Sequence, residues 1–123
     1  MPLVSKILIA DDDTEMRETL VSLLTQAGYK VIEAENGQEA VDLAKIELPS
    51  LIMLDIHMPK MTGLAACKAI KADQVTKAIP VVMLTVEGSI AEIQEAIGYG
   101  ARTYLTKPSS KEQILKVVKS ILY

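Results

Sequence analysis

The chain has 123 residues, 50% of them hydrophobic and 24% charged, which is enough apolar material for one compact domain and too much for a disordered one. It contains no Phe, no Trp and four Tyr, so its core has to be aliphatic. A net charge of -3 argues against a nucleic-acid-binding module with a basic face, and the longest apolar run, Ile79 to Leu84 broken by Pro80, is far too short to cross a bilayer.

Strand-like and helix-like patterns alternate along the whole chain. Lys6 to Ala10 is a short β-prone run. From Thr14 to Ala27 the spacing turns helical, with Met16, Leu20, Leu23, Leu24 and Ala27 on one face and Gly28 as the stop. Val31 to Ala34 is a weaker apolar run, expected nearer a sheet edge. Asn36 to Glu39 reads as a helix start, and that helix has to end before Pro49. Leu51 to Leu54 is apolar throughout, and Thr62-Gly63 opens a helix to about Asp73. Pro80 to Leu84 is a fourth strand, and Ser89-Ile-Ala-Glu92 has the capping-box pattern ahead of Ile93, Ala96 and Ile97. Thr103 to Leu105 is a fifth strand. Ser109-Ser-Lys-Glu112 repeats the capping-box pattern before Ile114, Leu115, Val118 and Ile121.

Strands that are apolar without alternation are buried on both faces, and with helices between them they imply an α/β domain built on a single parallel sheet. There is no internal linker or repeat, so residues 1–123 read as one domain. Cys67 is the only cysteine, which excludes an internal disulfide and suits a reducing compartment. It reads as a small apolar residue on a helix. With no leader pattern at the N-terminus, the chain is expected to be soluble and cytoplasmic, without membrane insertion.

In an open parallel sheet, ligands bind beyond the carboxyl ends of the strands. The residues there are Asp11, Asp12 and Asp13 after the first strand, Asp55 after the third, Thr85 after the fourth, and Thr106 and Lys107 after the fifth. Glu35 and Asn36, after the second, read as turn and cap residues. Singly, each has a plain structural explanation: Asp13 as a helix cap, Lys107 as a surface lysine, Thr85 as a β-branched strand residue. Their convergence on one edge is harder to explain that way. Two carboxylates about 4 Å apart repel by roughly 4 kcal/mol at an effective dielectric of 20. Asp11, Asp12 and Asp55 together therefore call for a cation or raised pKa values; a hard divalent cation answers this, and Mg2+ suits few carboxylates and several waters. Acids, a cation, a lysine and a hydroxyl make a site for phosphoryl transfer by positioning and charge neutralisation.

These residues lie in four blocks: Ile7-Leu-Ile-Ala-Asp-Asp-Asp13, Leu51-Ile-Met-Leu-Asp-Ile-His-Met-Pro-Lys-Met-Thr-Gly63, Ile79-Pro-Val-Val-Met-Leu-Thr85 and Gly100-Ala-Arg-Thr-Tyr-Leu-Thr-Lys-Pro108. Through them the chain resembles the receiver domains of two-component response regulators over essentially its whole length. The resemblance implies a flavodoxin-like doubly wound fold, strand order 2-1-3-4-5, with five helices on two faces. It makes Asp55 the phosphoacceptor, and makes Asp11, Asp12, Asp55 and the backbone carbonyl of His57 the ligands of Mg2+ (or Mn2+). Lys107 would pair with phosphoryl oxygens, Thr85 would be the switching hydroxyl and Tyr104 the aromatic that follows it inward. Pro108 matches a position preceded by a cis peptide in the family. His57 and Glu87 would occupy rim positions that tune dephosphorylation, and Val86 a rim position that tunes phosphoryl entry or exit. Val86 is larger than the family prefers, so its bulk is expected to narrow access to Asp55. Ser109 replaces a common aromatic, for which a helix-cap role is sufficient.

The implied partners are a sensor histidine kinase or histidine phosphotransfer protein upstream and an effector protein or domain downstream. Direct nucleic-acid binding is not expected, and the chain would be a monomer or a weak phosphorylation-dependent dimer. The only catalysis expected is its own phosphorylation and dephosphorylation. Both a free-standing regulator and the receiver of a longer one fit the sequence. Two rivals fit less well. A haloacid-dehalogenase-like phosphatase could use Asp11-x-Asp13, but Glu15 stands where that family has Thr or Val. A phosphorylation-independent scaffold usually lacks one of the acids or the lysine, all of which are kept here. A Ca2+ loop over Asp11, Asp13 and Glu15 lacks the glycine it requires.

Overall fold

The computed structural model describes residues 4–86 and 89–122. Five strands, β1 (Lys6–Ala10), β2 (Lys30–Ala34), β3 (Leu51–Asp55), β4 (Val81–Val86) and β5 (Thr103–Lys107), alternate with five helices, α1 (Thr14–Gln26), α2 (Gly37–Glu47), α3 (Gly63–Ala72), α4 (Ile90–Tyr99) and α5 (Lys111–Leu122). The strands pair in parallel in the order β2-β1-β3-β4-β5. The doubly wound fold anticipated from the sequence is thus present, with β2 at an edge as its weaker apolar run implies.

Alternate strand residues feed two apolar layers. Ile7, Ile9, Leu51, Met53, Val82 and Leu84 pack with Leu20 and Leu24 of α1 and Ile114 and Val118 of α5. Leu8, Ala10, Ile52, Leu54, Val81 and Met83 pack against α2, α3 and α4, where Cys67 is also buried. Burial pushes the Cys67 thiol up to about 11, so it behaves as a small apolar residue. All five residues of β3 are buried. Each of its large apolar side chains contributes about 1.5–3 kcal/mol by leaving water, which makes the strand ending in Asp55 one of the most firmly held parts of the fold. Among the described residues, no helix is long and apolar enough to cross a membrane.

Helix ends follow local chemistry. The side chains of Asp13, Asn36 and Thr62 accept from the amides of Met16, Glu39 and Ala65, at 3.2, 2.8 and 3.2 Å. Gly28, at φ 99°, closes α1: its amide donates to Thr25 and that of Tyr29 to Leu24.

Two capping expectations need correction. Ser89 precedes α4 but makes no side-chain cap; its φ and ψ of -87° and 41° are not the extended conformation of a capping residue, and Glu92 is drawn instead to His57, 3.2 Å away. At α5 the cap is Ser110 rather than Ser109. Ser110 Oγ accepts from the Gln113 amide and Gln113 Oε1 accepts from the Ser110 amide, both at 3.1 Å, a reciprocal box one residue further on. Ser109 turns back and donates its hydroxyl proton to the Thr106 carbonyl.

Candidate functional site

Strand register assembles the site. Ala10 lies opposite Leu54, so the chain leaving β1 delivers Asp11 beside the end of β3; Asp55 lies opposite Leu84, and Val86 opposite Lys107. The order 2-1-3 reverses the winding between β1 and β3, and a crevice opens at such a switch point. The loop after Asp55 is fastened over this crevice. The amide of Ile56 donates to Leu84, that of Gly63 to Ile56, and that of Gly37 to Met61, at 3.1, 2.8 and 3.1 Å. Within it Lys60 has φ 66° and the Met61 amide donates to the Pro59 carbonyl at 2.7 Å, forming a γ-turn.

Asp11 is fully buried, Asp55 nearly so and Asp12 exposed. One oxygen from each of these three carboxylates lies within 4.8 Å of the others. The Lys107 ammonium bridges two of them, 2.6 Å from Asp11 Oδ2 and 3.3 Å from Asp55 Oδ1. Asp11 Oδ1 accepts from the Asp13 amide at 3.0 Å. Burial first, and then the neighbouring Asp11 charge, raise the Asp55 carboxyl from 3.8 to about 6, against the lowering effect of Lys107. Burial pulls the Lys107 ammonium down, but its hydrogen bond to Asp11 and the charges of Asp55 and Asp11 outweigh this and leave it above the usual lysine range. A single ammonium shared by two acids, with a third acid adjacent, leaves the cluster short of positive charge. Hard oxygen donors converging at this spacing fit a divalent cation such as Mg2+.

A pH dependence follows. Between pH 3.8 and about 6 the native state holds a proton on Asp55 that the unfolded chain has released. The stability from this group is present below pH 3.8 and is lost as pH rises through about 6. In metal-free buffer Asp55→Asn is therefore expected to be more stable than wild type at pH 7, by up to about 3 kcal/mol for a shift from 3.8 to about 6. The difference should shrink toward zero by about pH 4. Urea unfolding at several pH values in a chelator checks it; a variant less stable than wild type at pH 7 contradicts it.

The remaining sequence candidates fall around this centre. Thr85 is buried, and its hydroxyl donates to the Val86 carbonyl at 3.1 Å rather than to an acid. Tyr104 and Val86 are exposed on the surface. His57 is exposed in the β3–α3 loop, its Nε2 3.2 Å from Glu92 Oε2 of α4. Glu87 lies outside the described residues. The Lys107–Pro108 peptide is cis. Sequence reading passed over Arg17, a buried helix residue whose Nη1 donates to the Asp11 carbonyl at 2.5 Å. Its signal was its place at i, i+3, i+7 with Leu20 and Leu24 on the apolar stripe of α1.

Fold and site together define a class: a flavodoxin-like α/β domain with a carboxylate–lysine cluster at its switch point. The family model for the response regulator receiver domain matches residues 7–119. Protein PilH of Pseudomonas aeruginosa is 36% identical over 119 residues, covering 97% of this chain and 98% of PilH. The phosphate regulon transcriptional regulatory protein PhoB of the same organism is 36% identical over 116 residues, 94% of this chain but 51% of PhoB. Chemotaxis protein CheY4 of Vibrio cholerae superposes with a TM-score of 0.91 at 34% identity, covering 97% of this chain and 99% of that one. The chain belongs to the response regulator receiver domains of two-component signalling. It spans about half the length of several curated relatives that it matches, PhoB among them.

Proposed function

We propose that the domain is a phosphorylation switch whose phosphoryl group is carried on Asp55. The observation that carries this reading is the Lys107 ammonium held between the buried carboxylates of Asp11 and Asp55. An oxygen of Asp55 attacks the phosphorus of a phosphohistidine or small acyl phosphate donor. The new O–P bond forms as the donor's bond to phosphorus breaks and its electron pair leaves with the donor. Lys107 donates hydrogen bonds to the phosphoryl oxygens as their charge develops. Asp11, Asp12, Asp55 and the His57 backbone carbonyl would hold Mg2+ or Mn2+, which supplies the positive charge the cluster lacks. Attack of water on the phosphorus then returns the Asp55 carboxylate and releases inorganic phosphate. In this reading the domain catalyses only its own modification.

The aspartyl phosphate adds about two negative charges and strong acceptor oxygens. The Thr85 hydroxyl, which donates to the Val86 carbonyl, can exchange that partner for a phosphoryl oxygen, and Tyr104 can move into the space it leaves. The surface altered is that of α4, β5 and α5, where Ile90, Ile97 and Tyr104 are already exposed and suit an effector protein or domain. A sensor histidine kinase or phosphotransfer protein would be the donor. The domain would work in the cytoplasm, as a monomer or a weak phosphorylation-dependent dimer, without contacting nucleic acid itself. His57 and Glu87 would tune the lifetime of the phosphorylated form.

Val86 follows Thr85 at the rim, so Val86→Ala should take phosphoryl groups from acetyl phosphate faster than wild type; a slower rate refutes the steric role. The main test is intact mass after incubation with acetyl phosphate and Mg2+. Wild type should gain one phosphoryl group and Asp55→Asn none. Equal uptake at equal rate by both would mean that Asp55 is not the acceptor.

A further inference from the structure

Among the described residues three charged side chains are buried, Asp11, Asp55 and Arg17, and the chemistry above uses only the first two. A guanidinium on the apolar stripe of an amphipathic helix loses hydration and persists only where its donors are matched. Two donors of Arg17 are matched by hydrogen bonds to the turn after β1 and to β2, and a third faces a longer ion pair. Nη1 donates to the Asp11 carbonyl at 2.5 Å, Nε to Glu33 Oε1 of β2 at 3.1 Å, and Nη2 lies 3.8 Å from Glu35 Oε1 in the β2–α2 loop.

The Asp11 carbonyl belongs to the peptide plane joining Asp11 to Asp12. Fixing that oxygen fixes how the chain turns out of β1, and so where the Asp12 carboxylate stands relative to those of Asp11 and Asp55. The rest of Asp11 is also held: its amide donates to the Ala34 carbonyl at 3.2 Å, Oδ1 accepts from the Asp13 amide at 3.0 Å and Oδ2 accepts from Lys107 at 2.6 Å. Among these, the Arg17 contact is the one a side chain makes to the Asp11 carbonyl itself. Glu33 and Glu35 anchor its far side and offset its charge.

We infer that Arg17 is a positioning residue for the divalent-cation site, acting through the Asp11–Asp12 peptide; this rests on the reading of Asp11, Asp12 and Asp55 as that site. The sign of the effect separates this role from the obvious alternative. A positive charge near a cation site weakens cation binding by Coulomb repulsion, so its removal would tighten Mg2+ if charge were all that mattered. Loss of a strut that orients the ligands weakens binding, typically by tenfold or more.

The test is an NMR titration of amide shifts with MgCl2 on the full chain, for wild type, Arg17→Met and Arg17→Lys, with urea unfolding in a chelator as the measure of stability. Arg17→Met should bind Mg2+ about tenfold more weakly than wild type. Arg17→Lys keeps the net charge but lacks the fork that spans Asp11 and Glu33, and should bind a few-fold more weakly. A purely structural role would lower urea resistance and leave the Mg2+ affinity of the folded protein unchanged. Unchanged or tighter binding by Arg17→Met overturns the inference. If that variant does not fold, wild-type affinity in Arg17→Lys does so. Failure of wild type to bind Mg2+ at all would instead remove the cation-site reading, and this inference with it.

Discussion

Lys107→Met should accept phosphoryl groups from acetyl phosphate about 10²-fold more slowly than wild type at saturating Mg2+. Lys107 reaches the site from the last residue of β5 and, among the described residues, is the one ammonium within ion-pair distance of both buried acids. It is placed to meet charge that develops on the phosphoryl oxygens in a cleft where that interaction is little screened. Two accompanying measurements separate this effect from a damaged site. First, both influences of Lys107 on Asp55, its charge and its hydrogen bond, lower the Asp55 pKa. Without them the metal-free Asp55 should titrate above about 6, visible in its carboxyl carbon shift. Second, removing a positive charge should leave Mg2+ affinity unchanged or tighter, which locates the loss in the transfer step. Wild-type rates in Lys107→Met would remove the lysine from the mechanism.

Gly63→Ala should destabilise the domain by about 3 kcal/mol or more and slow phosphorylation as well. Gly63 begins α3 directly behind the acceptor strand, and its amide donates to the Ile56 carbonyl at 2.8 Å. A Cβ there would fall on the Asp55 carbonyl oxygen and against the Ile56 main chain. Because the obstacle is backbone, no side-chain rotation relieves it. Either α3 moves off the sheet or the end of β3 shifts, and the second displaces the nucleophile. Loss of about 3 kcal/mol or more in urea unfolding together with a slower rate is expected; a variant as stable and as fast as wild type would mean the loop yields at no cost.

Much of this was legible in the chain because the strands are short, apolar and terminated by charge. Asp11 follows and Asp55 ends a buried strand, Lys107 ends the more exposed β5, and in a parallel sheet all these ends face the same way. Parallel pairing does the rest, turning separation in sequence into adjacency within the cluster. What escaped reading depended on contacts between distant segments. Glu92 has the right spacing from Ser89 for a capping box, but His57 of another loop takes its carboxylate. Two adjacent serines precede α5, and only the reciprocal bond from Gln113 selects Ser110. Arg17 falls within the apolar stripe of α1, and only its distant partners, Glu33, Glu35 and the Asp11 carbonyl, account for its burial. The exposure of Tyr104 likewise has no sequence signal: it follows from the place of β5 at the edge of the sheet.

The identity of the acceptor is best tested chemically. An acyl phosphate on Asp55 is reduced by borohydride to the alcohol, leaving homoserine at that position. After phosphorylation with acetyl phosphate and Mg2+, reduction and digestion, the peptide spanning Leu51 to Lys60 should carry homoserine at position 55 and no other residue should be altered. Homoserine at position 11 or 12, or a phosphoryl group on a serine, threonine or His57 that survives reduction, would contradict the account.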